Sequence, residues 1–221
     1  MAYYLRLMRE EDIPQVNQID HEAFPTLWPP PNYRRELANR LARYIVACDE
    51  EKKVEEPEMK ATPRKGFSGL ISRLRRLFNH DRFSGNELTT SERQYIFGFA
   101  GFWIMAGEAH ITNIAVREQR RRQGIGELLL IALIDLAMEL DAQLITLEAR
   151  ASNTAAQSLY AKYGFNEVGV RRGYYTDNRE DGVLMSLQDV TSATVQAKLQ
   201  QLKQAHSRKW GIATTALSHS R

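Results

Sequence analysis

The tightest constraint in this chain is a bend. Between the β-type run Ala109 to Val116 and the apolar helical run Glu127 to Leu140 stands Arg121-Arg122-Gln123-Gly124-Ile125-Gly126. Glycines at such a junction let the backbone turn sharply and approach a ligand closely. The free N–H groups of a helix start, with the local dipole, favour phosphate. Arg120, Arg121 and Arg122 add positive charge beside it. A tight turn or a helix cap would use the same glycines. The segment is not a Walker loop, because no Gly-Lys-Ser/Thr follows. It also lacks the third glycine of a dinucleotide fingerprint.

The elements around the bend alternate in type. Tyr3 to Met8 reads as a strand, and Glu10, Glu11 and Asp12 stand where a helix N-terminus favours acids. Ile13, Val16 and Ile19 recur at helical spacing. Pro25 and Pro29-Pro30-Pro31 force a loop. A second helix is predicted over Asn32 to Ala42, then a strand over Tyr44 to Cys48. Tyr95 to Met105 and Ala109 to Val116 form a hairpin about Gly107. Leu144 to Arg150 reads as a strand, Thr154 to Tyr163 as a helix and Phe165 to Arg171 as a strand. Tyr174 to Asp181 reads as a polar loop and Val183 to Leu187 as the closing strand. Val195, Leu199 and Leu202 mark a last helix within Val190 to Ala205, with a frayed tail after Trp210. The expectation is one mixed α/β domain over residues 1–190, followed by a C-terminal helix and tail over 191–221.

The stretch Asp49 to Arg93 interrupts this order. Asp49 to Glu58 carries six acids against two lysines, whereas Lys60 to Arg82 carries seven Lys/Arg against one Asp. Such charge blocks read as a mobile insertion. Within it, Leu70, Ile71, Leu74, Leu77 and Phe78 share a helical face, with Arg73, Arg75 and Arg76 between them. A basic amphipathic helix over 69–78 could dock on its own domain, or lie on a membrane surface, an RNA or a protein.

Composition excludes several classes. The longest apolar run, Leu128 to Ile134, is far below the ~18–20 residues of a membrane span. The N-terminus shows no secretory pattern. One cysteine, Cys48, allows neither an internal disulfide nor a Cys-rich zinc module. A cytoplasmic protein is expected. His21, His80, His110, His206 and His219 lack metal-ligand spacing, so no metal is expected. A formal charge of +3 does not suggest a DNA-binding polyelectrolyte.

A longer series gives the bend its context. Asn113-Ile114-Ala115-Val116 precedes it, and Leu147-Glu148-Ala149-Arg150-Ala151-Ser152-Asn153 follows. Then come Leu159-Tyr160, Gly164-Phe165, Arg171-Arg172, Tyr174-Tyr175 and Glu180-Asp181. The series resembles the GCN5-related N-acetyltransferases. Within them it is similar to the bacterial enzymes that acetylate the N-terminal alanine of ribosomal protein S18. The likeness is close over Tyr95 to Leu187 and looser before it. It implies the acyl-CoA N-acyltransferase fold: a mixed, mostly antiparallel sheet flanked by helices and split around the acetyl-CoA arm.

The resemblance also implies roles. Glu148 matches the general base and Tyr160 the general acid; a salt bridge of Glu148 to Arg150 or another arginine, and a core tyrosine, are the plainer readings. Ile114, Ala115 and Val116 match the pantetheine contacts, with the Val116 N–H as donor to the thioester oxygen. Arg121, Arg122, Gln123, Gly124, Ile125, Gly126 and Glu127 match the pyrophosphate loop. Asn153 matches a further cofactor contact and also reads as a helix cap, with Gln157 completing a capping box. Trp28, Tyr33, Tyr174 and Tyr175 match the groove for the acceptor peptide, where packing tyrosines would look the same. An α-amine, with a reference pKa of ~7.7–8.0, needs less help to shed its proton than a lysine at ~10.4. A single carboxylate therefore suits a protein N-terminus, and the resemblance implies that of S18. A broader N-terminal, lysine or small-amine acetyltransferase is the alternative within the class. A non-catalytic acyl-CoA-binding or RNA-associated module is the alternative outside it.

Overall fold

The computed structural model describes residues 3–24, 31–54 and 93–211. In chain order the elements are β1 (Tyr3–Leu7), α1 (Ile13–Ala23), α2 (Tyr33–Ala38), β2 (Ala42–Val54), β3 (Arg93–Met105) and β4 (Glu108–Val116). There follow α3 (Ile125–Glu139), β5 (Leu144–Arg150), α4 (Thr154–Lys162), β6 (Asn166–Tyr175), β7 (Glu180–Leu187) and α5 (Ala193–Trp210). The strands form one seven-stranded sheet in the order β1-β2-β3-β4-β5-β7-β6. β4 and β5 pair in parallel, joined by α3 as the crossover such a pair requires. The pairs β1–β2, β3–β4, β5–β7 and β6–β7 are antiparallel. The expected mixed, mostly antiparallel sheet is therefore present.

Both faces of the sheet are covered. Ile45 and Ala47 of β2 join the core that contains α3, while Tyr44, Val46 and Cys48 join the core beneath α1. That alternation is the period-two pattern of a strand buried on both sides. Helix α3 buries Ile125, every residue from Leu128 to Ile134, Leu136 and Ala137. Each fully buried leucine or isoleucine contributes about 1.5–3 kcal/mol. Helix α1 starts with Pro14 in its first turn, where a missing N–H costs little, and buries Val16 and Ile19. The Arg6–Asp12 pair, at 2.6 Å, ties β1 to the turn before α1.

Several boundaries differ from the sequence expectation. The polar loop expected over Tyr174 to Asp181 is a four-residue turn, because β6 runs through Tyr175 and β7 begins at Glu180. Asp181 clamps that hairpin, accepting from Gly173 N at 2.8 Å and from Arg172 Nη1 at 2.6 Å. The expected second helix is the shorter α2. Residues 49–54 continue β2 rather than opening an insertion. The core body comprises Met1–Lys52 and Gln94–Arg221, and Lys53–Arg93 forms a separate unit. The amphipathic segment 69–78 and the tail after 211 lie outside the described residues. Helix α5 packs on the domain body. Val190 and Leu199 are buried in the main core, and Lys203 pairs with Asp135 of α3. No described helix is long and apolar enough to cross a membrane.

One irregularity sets up the cleft. The β3–β4 register slips between Gly101 and Phe102, so Thr112 is an extra residue on β4. Such a bulge bends its strand and ends regular pairing. A Cβ at Gly101 would stand 2.3 Å from the Tyr44 ring, which is itself packed edge-on by Tyr33 at 5.6 Å. Gly101→Ala should therefore cost about 1–3 kcal/mol by overpacking. Thermal unfolding checks this, and an unchanged melting temperature would show that Tyr44 can move aside.

Candidate active site

β4 and β5 pair only from Glu108–Leu144 to Ile111–Leu147. Beyond that point β4 continues on β3 to Val116, and β5 continues on β7 to Arg150. The two parallel strands part, leaving a wedge between their C-terminal ends. Glu148 is the first β5 residue past the last β4 pair.

The Glu148 side chain is only 4% exposed. Its Oε2 lies 3.1 Å from His110 Nε2, and its Oε1 lies 2.7 Å from Arg171 Nη1 without hydrogen-bond alignment. Burial pushes the carboxyl up, but the His110 hydrogen bond and the His110 and Arg171 charges outweigh it and hold it below its ordinary value. The group is a carboxylate at neutral pH, as a proton acceptor must be. Of the plainer reading, a salt bridge to Arg150 or another arginine, the structure shows the second form, with Arg171 as the partner. Arg150 is paired across the sheet with Gly182, which brings it to the β6–β7 turn. There it meets Asp177 at 3.0 Å and Glu180 at 3.2 Å, and covers the Tyr175 ring at 4.0 Å.

The tyrosine pair lines the same region. Tyr174 and Tyr175 meet edge to face at 5.1 Å, and Tyr175 Oη donates to the Glu148 carbonyl at 3.4 Å. Arg171 lies over the Tyr174 ring at 5.5 Å. The Tyr175 phenol is pushed up first by burial, then by Tyr174, and also feels Glu148 and Tyr160. Tyr160, on α4, packs against Phe165 at 5.9 Å, and burial pushes its phenol up to about 12. It stays protonated where a thiol of pKa ~8.5 would be ionised. Asn153 caps α4, accepting from Ala156 N at 3.1 Å. Gln157 does not close a capping box; its Nε2 donates to the carbonyls of Arg150 and Ala151.

The bend forms as its glycines suggest. Arg122 and Gly124 both have left-handed backbone, with φ of 62° and 80°. Helices α2, α4 and α5 are capped by the side chains of Asn32, Asn153 and Ser192, whereas α3 starts at Gly124 without any capping side chain. An uncapped helix start of this kind suits an anion. A Cβ at Gly126 would touch only Val116 Cγ2, at 3.7 Å, so the space between the helix start and the strand end is open. Arg121 Nε donates to the Val116 carbonyl at 3.4 Å and fastens the bend to β4. The Glu127 carboxylate is already engaged, accepting from Lys162 and from Tyr163 Oη, so its backbone N–H is what it can offer. On β4, Ala115 is buried toward α1, while Ile114 and Val116 pack against the α3 core. From behind, the bend is held by α5: His206 Nε2 lies 3.0 Å from Gly124 O, and the Trp210 ring covers Gly124.

Two expected groove residues stand apart. Tyr33 is 1% exposed, and its hydroxyl donates to Asp20 Oδ1 at 2.7 Å. It packs the core with Tyr44 and Phe99 and does not face a groove. Trp28 lies outside the described residues. Sequence reasoning passed over His110, whose ring bridges β4 and β5. The available signal was strand alternation, which puts Glu108 with His110 and Thr146 with Glu148 on shared faces. Cys48 is fully buried, and burial pushes its thiol up to about 11, which suits packing rather than nucleophilic work. Among the described residues no His, Cys, Asp and Glu group could hold a metal ion.

The family model described as "Acetyltransferase (GNAT) family" matches residues 59–165. A Bacillus subtilis (strain 168) protein, provisionally named a [ribosomal protein bS18]-alanine N-acetyltransferase, is 31% identical over 182 residues, covering 82% of this chain and 92% of that protein. This chain belongs to the GNAT acetyltransferases. The Escherichia coli (strain K12) protein named [ribosomal protein bS18]-alanine N-acetyltransferase is 40% identical over 109 residues, 48% of this chain and 72% of that protein. The crystal structure of the E. coli ribosomal-protein-S18-alanine N-acetyltransferase superposes with a TM-score of 0.58 at 25% identity, covering 85% of this chain and 94% of that one. Arabidopsis thaliana NAA60 in complex with acetyl-CoA shares the fold, with a TM-score of 0.61 at 15% identity over 85% of this chain and 98% of that one. The GNAT fold and the acetyltransferase class read from the bend and its downstream series are thereby established.

Proposed function

We propose that this GNAT enzyme acetylates the N-terminal alanine of ribosomal protein S18 in the cytoplasm, with acetyl-CoA as donor. The observation that carries the reading is the parting of β4 from β5 just where Glu148 begins, beside an uncapped helix start. The relatives' names give the acceptor. The uncapped N–H groups from Gly124 to Glu127, with Arg121 and Arg122 beside them, fit a pyrophosphate. The free edge of β4 at Ile114 to Val116 fits an extended amide arm lying alongside, and Asn153 stands at the head of α4 on the opposite wall.

Bound acetyl-CoA supplies an acyl group activated as a thioester. The chain's own residues do the rest. The Glu148 carboxylate draws a proton from the acceptor's ammonium and so releases the nitrogen lone pair. The Val116 N–H donates to the carbonyl oxygen, where negative charge builds. Tyr160 gives its proton to the departing sulfur. Tyr174 and Tyr175 flank the carboxylate and hold the first residues of the acceptor. No side chain carries the acyl group.

Intact-mass spectrometry tests the acceptor. Peptides beginning with Ala from S18, with Ser and with Met-Glu, and one blocked peptide with an internal lysine, are incubated with enzyme and acetyl-CoA. The S18 peptide should gain one acetyl group fastest; equal labelling of all four would replace this reading with a broad amine acetyltransferase. Tyr160→Phe should lower kcat by about 10²-fold with acetyl-CoA affinity kept. Calorimetry beside a thiol-release assay separates the two, and a parallel loss of binding would make Tyr160 a packing residue only.

A further inference from the structure

Two arginines stand in one row of the sheet. Arg150 of β5 and Arg171 of β6 both pair with Gly182 of β7, from opposite sides. Their surroundings differ. Arg150 has a side chain 23% exposed and is fixed by Asp177 and Glu180. Arg171 has a side chain 53% exposed, and among the described residues its one carboxylate partner is Glu148. The two Glu148 oxygens are also unlike. Oε2 takes the His110 hydrogen bond. Oε1 is closed to solvent and, among the described residues, accepts no hydrogen bond, although Arg171 Nη1 is 2.7 Å away. An aligned guanidinium–carboxylate pair gains directional, charge-assisted bonds. This contact has the charge without the alignment, and a half-exposed arginine gains little from such a pair. A second resting place is at hand, since the guanidinium already lies 5.5 Å from the centre of the Tyr174 ring. That ring fits there because Gly182 has no side chain; a Cβ would stand 3.0 Å from Tyr174 Cδ1.

We propose that Arg171 is a stand-in for the acceptor's ammonium, covering Glu148 Oε1 until a substrate amine displaces it. The inference rests on the acetyl-transfer reading above. A buried carboxylate without a countercharge is costly, so a cation must face it before the acceptor arrives. Arg171 supplies one that is tethered to the chain yet weakly seated. An ammonium carries three N–H donors on a compact head and can give Oε1 the aligned bond that the guanidinium lacks. One cation replaces another, and Arg171 moves to the Tyr174 face and to solvent. The acetylated product is a neutral amide with no charge to hold the place, so Arg171 returns and favours release. The residue thereby sorts acceptors by charge: a free chain terminus trades places with it, whereas an acylated one does not. Arg171 acts through Glu148 and is a positioning residue.

The experiment measures kcat and KM against pH for wild type, Arg171→Met and Arg171→Lys, with an S18 N-terminal peptide varied at saturating acetyl-CoA. Arg171→Met removes the rival cation and should lower KM for the peptide by about two- to fivefold, the span of a weak exposed ion pair. Arg171→Lys restores a cation and should bring KM back toward the wild type. The acid limb separates a displaced arginine from a fixed one. The charged and titratable groups facing Glu148 are His110 from β4 and Arg171, Tyr174 and Tyr175 from β6, with the apolar Leu184 opposite it on β7. Arg171 is one of the charges that hold the carboxyl low. In Arg171→Met the limb of kcat/KM, which reports the free enzyme, should therefore move up; the limb of kcat, which reports the bound complex, should stay. An unchanged or higher KM in Arg171→Met, or an equal rise of both limbs, overturns the proposal. Should that variant not fold, Arg171→Gln is read by the same criteria. Absence of acetyl transfer by the wild type to every acceptor would overturn the acetyl-transfer reading and this inference with it. An active wild type with an unchanged Arg171→Met sinks the stand-in alone.

Discussion

Glu148→Gln is expected to lower kcat by about 10²–10⁴-fold while leaving acetyl-CoA affinity nearly unchanged. The substitution keeps the shape and can still bond His110, so the wall of the cleft is preserved. What it removes is the charge that accepts the proton. Stability should respond in a defined direction. The Glu148 carboxyl is held below its ordinary value by His110 and Arg171 against the opposing effect of burial. A lowered native value adds stability that is present above the ordinary carboxylate range. That stability is lost as pH falls through the lowered native value. Glu148→Gln should therefore lose this part of the acid dependence. At neutral pH its net stability change is small, because the desolvation cost of a buried charge disappears together with its pairing. Thiol-release kinetics and calorimetry with acetyl-CoA read the two expectations separately. A variant that binds acetyl-CoA poorly, or that turns over like the wild type, would remove Glu148 from the role of base.

Gly124→Ala should be the most damaging small substitution at the bend. Its φ of 80° costs an L-residue about 1–2 kcal/mol, and its new Cβ would stand 2.6 Å from Cε2 and Nε1 of Trp210. Strain and overpacking together should cost about 2–4 kcal/mol. Relief requires the Trp210 ring to withdraw, which loosens α5 and the Gly124 carbonyl that His206 holds. Acetyl-CoA affinity should fall with it. Gly107→Ala is the matched control: its φ is also 80°, but nothing stands within 4 Å of the added Cβ. It should show the strain alone and bind acetyl-CoA normally. Equal effects of the two substitutions on acetyl-CoA affinity would show that α5 has no part in shaping the bend.

The elements easiest to read were those whose pattern is local. β5 runs from Leu144 to Arg150 as its β-branched and apolar run suggests, and α3 follows its unbroken apolar stretch. The bend was visible because glycine has few uses between a strand and a helix. Side-chain partners were harder, since they depend on register. Arg150 and Glu148 are two apart on one strand, yet cross-strand neighbours draw them to different partners. Tyr33 ends the loop that the family resemblance assigns to the groove; its ring instead fills the core, where the buried Asp20 carboxylate satisfies its hydroxyl. The role of α5 was hidden for the same reason. A histidine at position 206 looks like a surface residue until the fold buries it to 2% against a backbone carbonyl.

That last contact has a consequence for how the protein is made. The imidazole that steadies the Gly124 carbonyl is encoded 82 residues downstream of it. A chain emerging N-terminus first from the ribosome releases β7, the last strand of its sheet, before His206 and Trp210. The bend proposed to hold the pyrophosphate is thus the last part of the proposed site to be completed.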